Sequence, residues 1–527
     1  MDLLACAALA LITSLLSAHL GYSGGPKQTT RFQLFAVSFV FHYLSLNFYR
    51  IYLYHKYFSP LRHLPGPKDS HWFLGQALNQ VNADTPMSFP VKLSRQHPEA
   101  PLIRYLSLAN TEIILVNNLE AHRQVLQTHN DLFERPSAIR RMMKRFSGDG
   151  LTSFESDEYR AHRKVLSGCF TPDCIRKLEP VFKEKVAQLS LLFGRAIEAS
   201  GGATAVIDCT DTFGRHTLDV MGRTLLGMDL SYLEQAEFDR DGNLVKGKRQ
   251  YGFLDAYNAV SGPDKIGKVF TFLDGFFPIR WIPCNNTNFK FLRATKWMDT
   301  TIEQLVTNRR KELEASMGKA KHNDTSRDIL SLLLEESMPG GCAEGIEDKN
   351  IVGHLLILLA GGHETSAHML AWSSHVLATR PEIQNRLSED ILAVWTPRQA
   401  YHDVHITGTY IPKGTIFEIV PAVTHMNPLI WGEDAAEFEP SRWDTIGGAD
   451  DPRSSPFAFE AFSNGPKTCI GKKLGLYEIK IALFEMVRSY RSLSVDEEEF
   501  GPFTVETPGI VLRPKGMKVR AEKIENA

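Results

Sequence analysis

The sharpest chemical signal in this sequence is a ten-residue run, Phe462-Ser-Asn-Gly465-Pro-Lys467-Thr-Cys469-Ile-Gly471. A lone cysteine is most often a small, inert hydrophobe. Cys469 is placed differently. It stands just before a predicted helix, flanked by two glycines and a lysine. A helix N-terminus and a nearby cation both favour the thiolate over the thiol. Gly465 and Gly471 let the backbone approach something large and flat, and Phe462 can shield the sulfur.

The second signal is Ala360-Gly361-Gly362-His363-Glu364-Thr365-Ser366, in the middle of a long predicted helix. Two adjacent glycines there cost about 1 kcal/mol each relative to alanine, and a helix that accepts that cost gains space for a ligand. Thr365 supplies a hydroxyl and Glu364 a titratable carboxyl, the parts of a proton relay. His363-Glu364 could also open the zinc-protease motif HExxH, but position 367 is Ala, and His368 is turned about 100° off the required face. The plain structural alternative is a helix packed through small residues.

The run around Cys469 resembles the haem-binding loop of cytochrome P450 enzymes, with Lys467 where arginine is usual. The Gly361–Thr365 stretch resembles the motif with which that family admits O2 and delivers protons. The resemblance implies that Cys469 is the axial thiolate of a haem iron, pushing electron density through the metal for O–O cleavage. It implies Thr365 as hydrogen-bond donor and Glu364 as part of the proton relay. Phe462, Gly465, Lys467 and Gly471 would bind the cofactor, Lys467 meeting a propionate as a point charge without bidentate geometry. Weaker matches agree in order. Glu158-Tyr159-Arg160-Ala161-His162-Arg163-Lys164 resembles the helix that offers a propionate an arginine, here Arg163, with Tyr159 where tryptophan is usual. Gly408–Thr415 resembles the strand–turn–strand before the meander, and Phe438–Trp443 the meander itself. Arg398 resembles a residue that often meets a propionate. Together the matches run from residue 61 to about 520.

One departure stands out. The family carries a Glu-x-x-Arg helix before the Gly408 turn, whereas here Leu387–Trp395 runs at once into Thr396-Pro397-Arg398. Arg442, which that helix should pair, is then expected to lack partners, and an unpaired buried guanidinium costs several kcal/mol.

The elements that must position these residues read as mainly α with small β-sheets. A cytochrome P450 fold over 59–527 is expected, preceded by a membrane anchor over 1–58. Leu3–Leu20 and Phe32–Tyr49 are each 18 residues without a formal charge, close to the roughly 20 that a spanning helix needs, so one or two transmembrane helices fit. Tyrosines and basic residues after the second run place the catalytic domain in the cytosol, on the endoplasmic reticulum membrane. Pro60, Pro65 and Pro67 make a short stiff linker. A hairpin is predicted around Ala109-Asn110, helices from Glu155 to Arg223, one very long helix over Asp348–Thr379, β structure over Ile406–Ile419, and a last helix from Gly471 to Tyr490. Residues 236–290 carry no clear pattern.

Lys plus Arg number 59 and Asp plus Glu 61, so no charge excess points to nucleic acid. Seven cysteines without a CxxC argue against a disulfide framework. The reading implied is a haem-thiolate monooxygenase acting on a hydrophobic small molecule of secondary metabolism. No phosphate-binding glycine-rich loop for FAD or NADPH is present, so a separate NADPH–cytochrome P450 reductase must supply the electrons for O2. Arg160, Arg163, Lys164, Lys472 and Lys473 would offer that acidic partner a basic face. An electron-independent rearranging enzyme would have no use for the Gly362–Thr365 apparatus. The remaining alternative is an inactive relative, or one whose sequence lacks a coding segment before Arg398.

Overall fold

The computed structural model describes the chain apart from residues 1, 20–27, 84, 86, 240–243, 246–249, 262–265, 268, 271–273, 275–277, 317–327, 342, 381–396, 496–500, 502, 507–512 and 525–527. Leu387–Trp395, which runs into the junction where the Glu-x-x-Arg helix is missing, therefore lies outside the described residues. In chain order the elements used below are α1 (Asp2–His19), α2 (Gln28–Phe48), β1 (Leu102–Leu106), β2 (Glu112–Val116), α3 (Ser156–Cys169), α4 (Glu179–Ala199), β3 (Thr204–Asp208), α5 (Cys209–Met221), α6 (Phe253–Ser261), α7 (Asn286–Ser316), α8 (Asp348–Thr379), β4 (Val404–Ile406), β5 (Thr409–Ile411), β6 (Ile416–Glu418), α9 (Lys472–Ser489), β7 (Tyr490–Leu493) and β8 (Lys518–Lys523). The fold is mainly helical with small sheets, as the sequence predicts.

The chain divides into two compact units. The first gathers Met1–Ala121 and Ala400–Glu418. In it α1 and α2 lie side by side, with Cys6 and Ala10 buried and Leu3, Leu4, Leu15 and Leu16 exposed. One helix, Phe32–Phe58, is long and apolar enough to cross a membrane, while the apolar part of α1, Leu3–Ser17, is shorter. The proline linker lies against β1, where the Arg104 N–H donates to the Pro65 carbonyl at 2.8 Å. β1 and β2 form the predicted antiparallel hairpin, Leu102 opposite Val116, and β6 joins β2 in parallel. The hairpin turns where Ala109 and Asn110 take φ of 53° and 55°. The Asn110 side chain then donates to the carbonyls of Ile51 at 2.8 Å and Trp72 at 2.9 Å. β4 and β5 pair through Thr407 and Gly408, both at positive φ, the conformation that a tight two-residue hairpin needs.

The second unit, His122–Gln399 with Ile419–Ala527, is built on α8. This 32-residue helix is buried over most of its circumference, as a helix through a core must be. Its first half packs Leu355 and Leu359 with Leu218, Leu225, Ile302 and Leu330. Its second half packs Ala367, Leu370 and Ala371 with Leu189, Phe193, Phe213 and Met486. Two elements depart from the sequence reading. Residues after Gly201-Gly202 form β3, which pairs antiparallel with β8. Five residues between two glycines and the α5 cap, Asp208, are too short to interrupt a helical pattern. The 31-residue α7 also escaped prediction, although Ala294, Met298, Ile302 and Val306 are buried at four-residue spacing. Phe291 and Leu305 widen that stripe, but the polar Asn288 and Thr295 are buried beside it and blur the pattern. Its start is capped by Asn285, whose side chain accepts from the Asn288 N–H at 2.9 Å.

Candidate functional site

The loop before α9 closes on itself. The Cys469 N–H donates to the Phe462 carbonyl at 2.8 Å and the Thr468 N–H to that of Gly465 at 3.0 Å. The Thr468 hydroxyl reaches the carbonyls of Ser463 at 3.1 Å and Phe462 at 3.3 Å. Gly465 has φ +73°, and a Cβ there would stand 2.0 Å from the Leu126 carbonyl oxygen. Only glycine fits. Around Gly471 no such crowding exists; a Cβ would lie 3.9 Å from the Cys469 sulfur.

The Cys469 side chain presents accessible surface, yet dense protein around it raises the thiol through burial. Against that act the Gly471 N–H, the Arg163 charge, and the N–H and ammonium of Lys472. These are the groups that stabilise a thiolate once something binds it. The helix N-terminus thus serves the sulfur as expected, but the cations are Arg163 and Lys472. Arg163 was expected at a propionate; its guanidinium lies 3.5 Å from the Tyr159 hydroxyl and its charge is felt at the sulfur.

Lys467 faces elsewhere. Its ammonium pairs with the Glu155 carboxylate and lies 5.7 Å from the centre of the Tyr159 ring. Burial pulls Lys467 down to about 8 despite Glu155. Burial would raise Glu155, but Arg135, 2.9 Å away, and Lys467 together hold its carboxyl below the usual range. Burial thus dominates at the lysine and the two cations dominate at the glutamate. Arg398 completes this cluster at 4% exposure. One guanidinium nitrogen donates to the Pro397 carbonyl at 3.1 Å, whereas Nε has no partner among the described residues. Burial, reinforced by Arg135, lowers Arg398 to about 10, against the pull of Glu155, Tyr159 and Glu460. A buried guanidinium with an open N–H is suited to an anionic group.

Thr365 and Glu364 are neighbours in α8 with different surroundings. The Thr365 hydroxyl donates to the Gly361 carbonyl at 2.5 Å. Beside Gly361 nothing lies within 4 Å of a built Cβ, whereas one on Gly362 would meet the Met221 sulfur at 2.5 Å. Of the two glycines, the first opens space and the second admits α5. The Glu364 carboxylate accepts from the Tyr257 hydroxyl at 3.0 Å. Burial raises this carboxyl, with Tyr257 and Arg513 opposing. It lines a cavity of about 190 Å³ together with Asp211, Tyr257, His363, His368 and Arg513. No hydrogen bond joins Glu364 to Thr365. His363 is buried, pushed down to about 3 by that burial, and its Nδ1 lies 3.0 Å from the Thr217 hydroxyl. No His, Cys, Asp and Glu cluster suited to a metal ion occurs among the described residues.

The expectation that Arg442 lacks partners is corrected. Its guanidinium donates to the carbonyls of Trp431 at 3.2 Å, Asp434 at 3.0 Å, Glu437 at 3.0 Å and Glu439 at 3.2 Å, and it meets the Asp434 carboxylate at 3.4 Å. The segment's own backbone does what a distant helix was expected to do. The sequence reading missed Arg135 and Glu155, for which an acid four residues before Tyr159 was the only hint. It also missed Tyr257 and Arg513, which stand in stretches without periodicity.

The family profile described as Cytochrome P450 matches residues 65–396 and 390–521. The match is thus made in two pieces that meet in the short stretch before Arg398. Among curated relatives, Cytochrome P450 monooxygenase sphH of Aspergillus fumigatus is 24% identical, over 88% of each chain. Cytochrome P450 monooxygenase FSL4 of Gibberella zeae is 26% identical, over 91% of each. Cytochrome P450 monooxygenase 205 of Postia placenta is 26% identical, over 84% of this chain and 88% of its own.

Proposed function

This chain belongs to the cytochrome P450 family and is a monooxygenase, and from that premise we propose that it oxidises a hydrophobic small molecule of secondary metabolism, with electrons from a separate NADPH–cytochrome P450 reductase. The observation that carries the reading is the Cys469 sulfur, accessible and attended by the Gly471 and Lys472 N–H groups and by Arg163. Three features fit the haem that the family implies: that sulfur, the open face of Gly361, and the partnerless Nε of Arg398. Cys469 would hold the iron and Arg398 a propionate, with Phe462, Gly465 and Gly471 shaping the loop. Lys467 and Arg163 set the surrounding charge. The bound haem would supply the activation of O2 that no side chain can perform.

The chain's own residues then have separable tasks. Thr365 keeps a hydroxyl beside the open Gly361 face, anchored on the Gly361 carbonyl. Glu364 holds a proton more readily than a solvated carboxyl, because burial raises it. Its place on the cavity with His363, His368 and Arg513 gives that proton a polar reservoir. The cytosolic orientation and endoplasmic reticulum location rest on the apolar Phe32–Phe58 helix and the basic residues after it. We assign residues 1–58 to the anchor and 59–527 to the oxygenase. The fungal sources of the relatives support a secondary-metabolite substrate. The two-piece profile match favours a second reading, in which a coding segment is missing before Arg398 and the 527-residue chain is less active than its complete form.

The decisive test is the spectrum of the reduced, CO-bound protein. Wild type is expected to give the signature of thiolate ligation and Cys469→Ser to lose it, with all monooxygenase activity. The same spectrum from both proteins would remove Cys469 from the iron.

A further inference from the structure

Glu478 lies on α9, nine residues beyond Cys469 in the sequence. It is 1% exposed, and neither carboxyl oxygen has a hydrogen-bond partner of proper geometry among the described residues. An ionised carboxylate in that position would be an isolated buried charge, which proteins avoid. The one polar group that acts on it is the hydroxyl of Ser366, on α8 next to Thr365. One turn earlier on α9, Gly475 brings its backbone to the same place: a Cβ on it would lie 3.8 Å from the Ser366 oxygen. Ser366 is itself buried, at 3%. Gly475 and Glu478, three residues apart on one face of α9, therefore lie towards Ser366 in the seam where α9 packs on α8, with the carboxyl and the hydroxyl not hydrogen-bonded in this conformation.

That seam joins the two halves of the site. α9 starts at Lys472, whose N–H, with that of Gly471, acts on the Cys469 sulfur. The Thr365 hydroxyl is fixed one residue from Ser366. A shift of α9 against α8 would move the sulfur relative to the hydroxyl. We propose that Glu478, in its protonated form, is a positioning residue that clasps α9 to Ser366 and so fixes Cys469 relative to Thr365. The inference rests on Cys469 being the iron ligand.

The chemistry of the clasp follows from its surroundings. A protonated carboxyl can donate to the Ser366 oxygen and accept from its hydroxyl. Burial, the largest influence, raises Glu478 to about 8, with Ser366 opposing. The charged groups on the elements around α9 are engaged elsewhere: Lys185 of α4 with Asp229, Arg176 of 172–177 with Asp173, and Arg491 of β7 with Glu522. On α8, His363, Glu364 and His368 line the cavity beside Arg513. None of them shifts Glu478. As the pH passes about 8 the acid ionises with no cation to meet it, and the carboxylate must draw water into the seam. Stability moves the same way. The folded chain keeps a proton that the unfolded chain releases near pH 4.3, so stability falls as pH rises from there to about 8 and levels off above it.

The test uses the full-length haem-loaded protein and Glu478→Gln, Glu478→Ala and Ser366→Ala. Two quantities are followed from about pH 5 to 9: the thiolate-type share of the CO spectrum, and the thermal unfolding midpoint. In wild type the thiolate-type share is expected to fall as pH rises through about 8, and the midpoint to decline up to that pH. Glu478→Gln, which can clasp Ser366 without a titrating proton, should lose this part of both pH dependences and unfold at a higher temperature than wild type at alkaline pH. Glu478→Ala and Ser366→Ala should lower the thiolate-type share at every pH. If Glu478→Gln tracks the wild-type pH curves, or if the alanine variants match it, Glu478 is packing only. If wild type never shows the thiolate signature, Cys469 is not the ligand; unfolding midpoints of wild type and Glu478→Gln that run parallel across pH would still overturn the clasp by themselves.

Discussion

The loop around Cys469 and the glycine-rich centre of α8 solve opposite problems. The loop makes its shape from within: its hydrogen bonds span three to seven residues, and Gly465 fits under a single carbonyl, that of Leu126. The centre of α8 borrows its surroundings from afar. Met221 fills the space at Gly362, Thr217 holds His363, Tyr257 holds Glu364, and Arg513 stands beside it, all from other elements. Ligation needs one atom held rigidly, and a short closed loop provides that. Proton delivery needs groups of different kinds around one carboxyl and one hydroxyl, and a straight helix must gather them from its neighbours.

Four substitutions sharpen or break that contrast. Thr365→Ala should have the largest effect. Haem binding should persist while product per NADPH falls about a hundredfold, the low end of what one acid–base group contributes, with peroxide formed instead. Unchanged coupling would leave the borrowed half of the site without a catalytic role. Gly465→Ala comes next, at about 3 kcal/mol of lost stability from a positive φ and a carbonyl that cannot retreat. Chemical denaturation measures it, and a loss below about 1 kcal/mol would show that the loop tolerates remodelling. The smallest effect belongs to Gly361→Ala. The open space beside Gly361 should let alanine stabilise the helix by up to about 1 kcal/mol while impairing turnover. Gly362→Ala should show no such gain, because Met221 must move first. Equal unfolding midpoints for the two would mean that neither glycine serves space.

The same contrast explains what could be read from the sequence. Cys469, Gly465 and Phe462 stand in one run of ten residues, so a resemblance carried by consecutive positions could point to them. The length of α8 was legible because no proline interrupts it between Asp348 and Thr379 and Arg380-Pro381 ends it. Lys467 was visible, but its partner was not: Glu155 lies 312 positions away, and no local rule says that a buried carboxylate will reach it. Tyr257 and Arg513 matter only because α6 and the 513–515 strand meet α8 in space. β3 was hidden by its length, and α7 by the polar residues buried within its apolar face. Arg442 was misjudged because backbone carbonyls leave no mark in a sequence.

The Arg442 arrangement also bears on how the chain acquires its shape. A guanidinium whose acceptors lie 3, 5, 8 and 11 residues back asks the chain to close only short loops. The entropy lost in closure grows with loop length, so these contacts are among the least costly to form. Structure of such low contact order can assemble while distant segments are still searching. The stretch from Trp431 to Arg442 can therefore set early and wait for the rest of the chain.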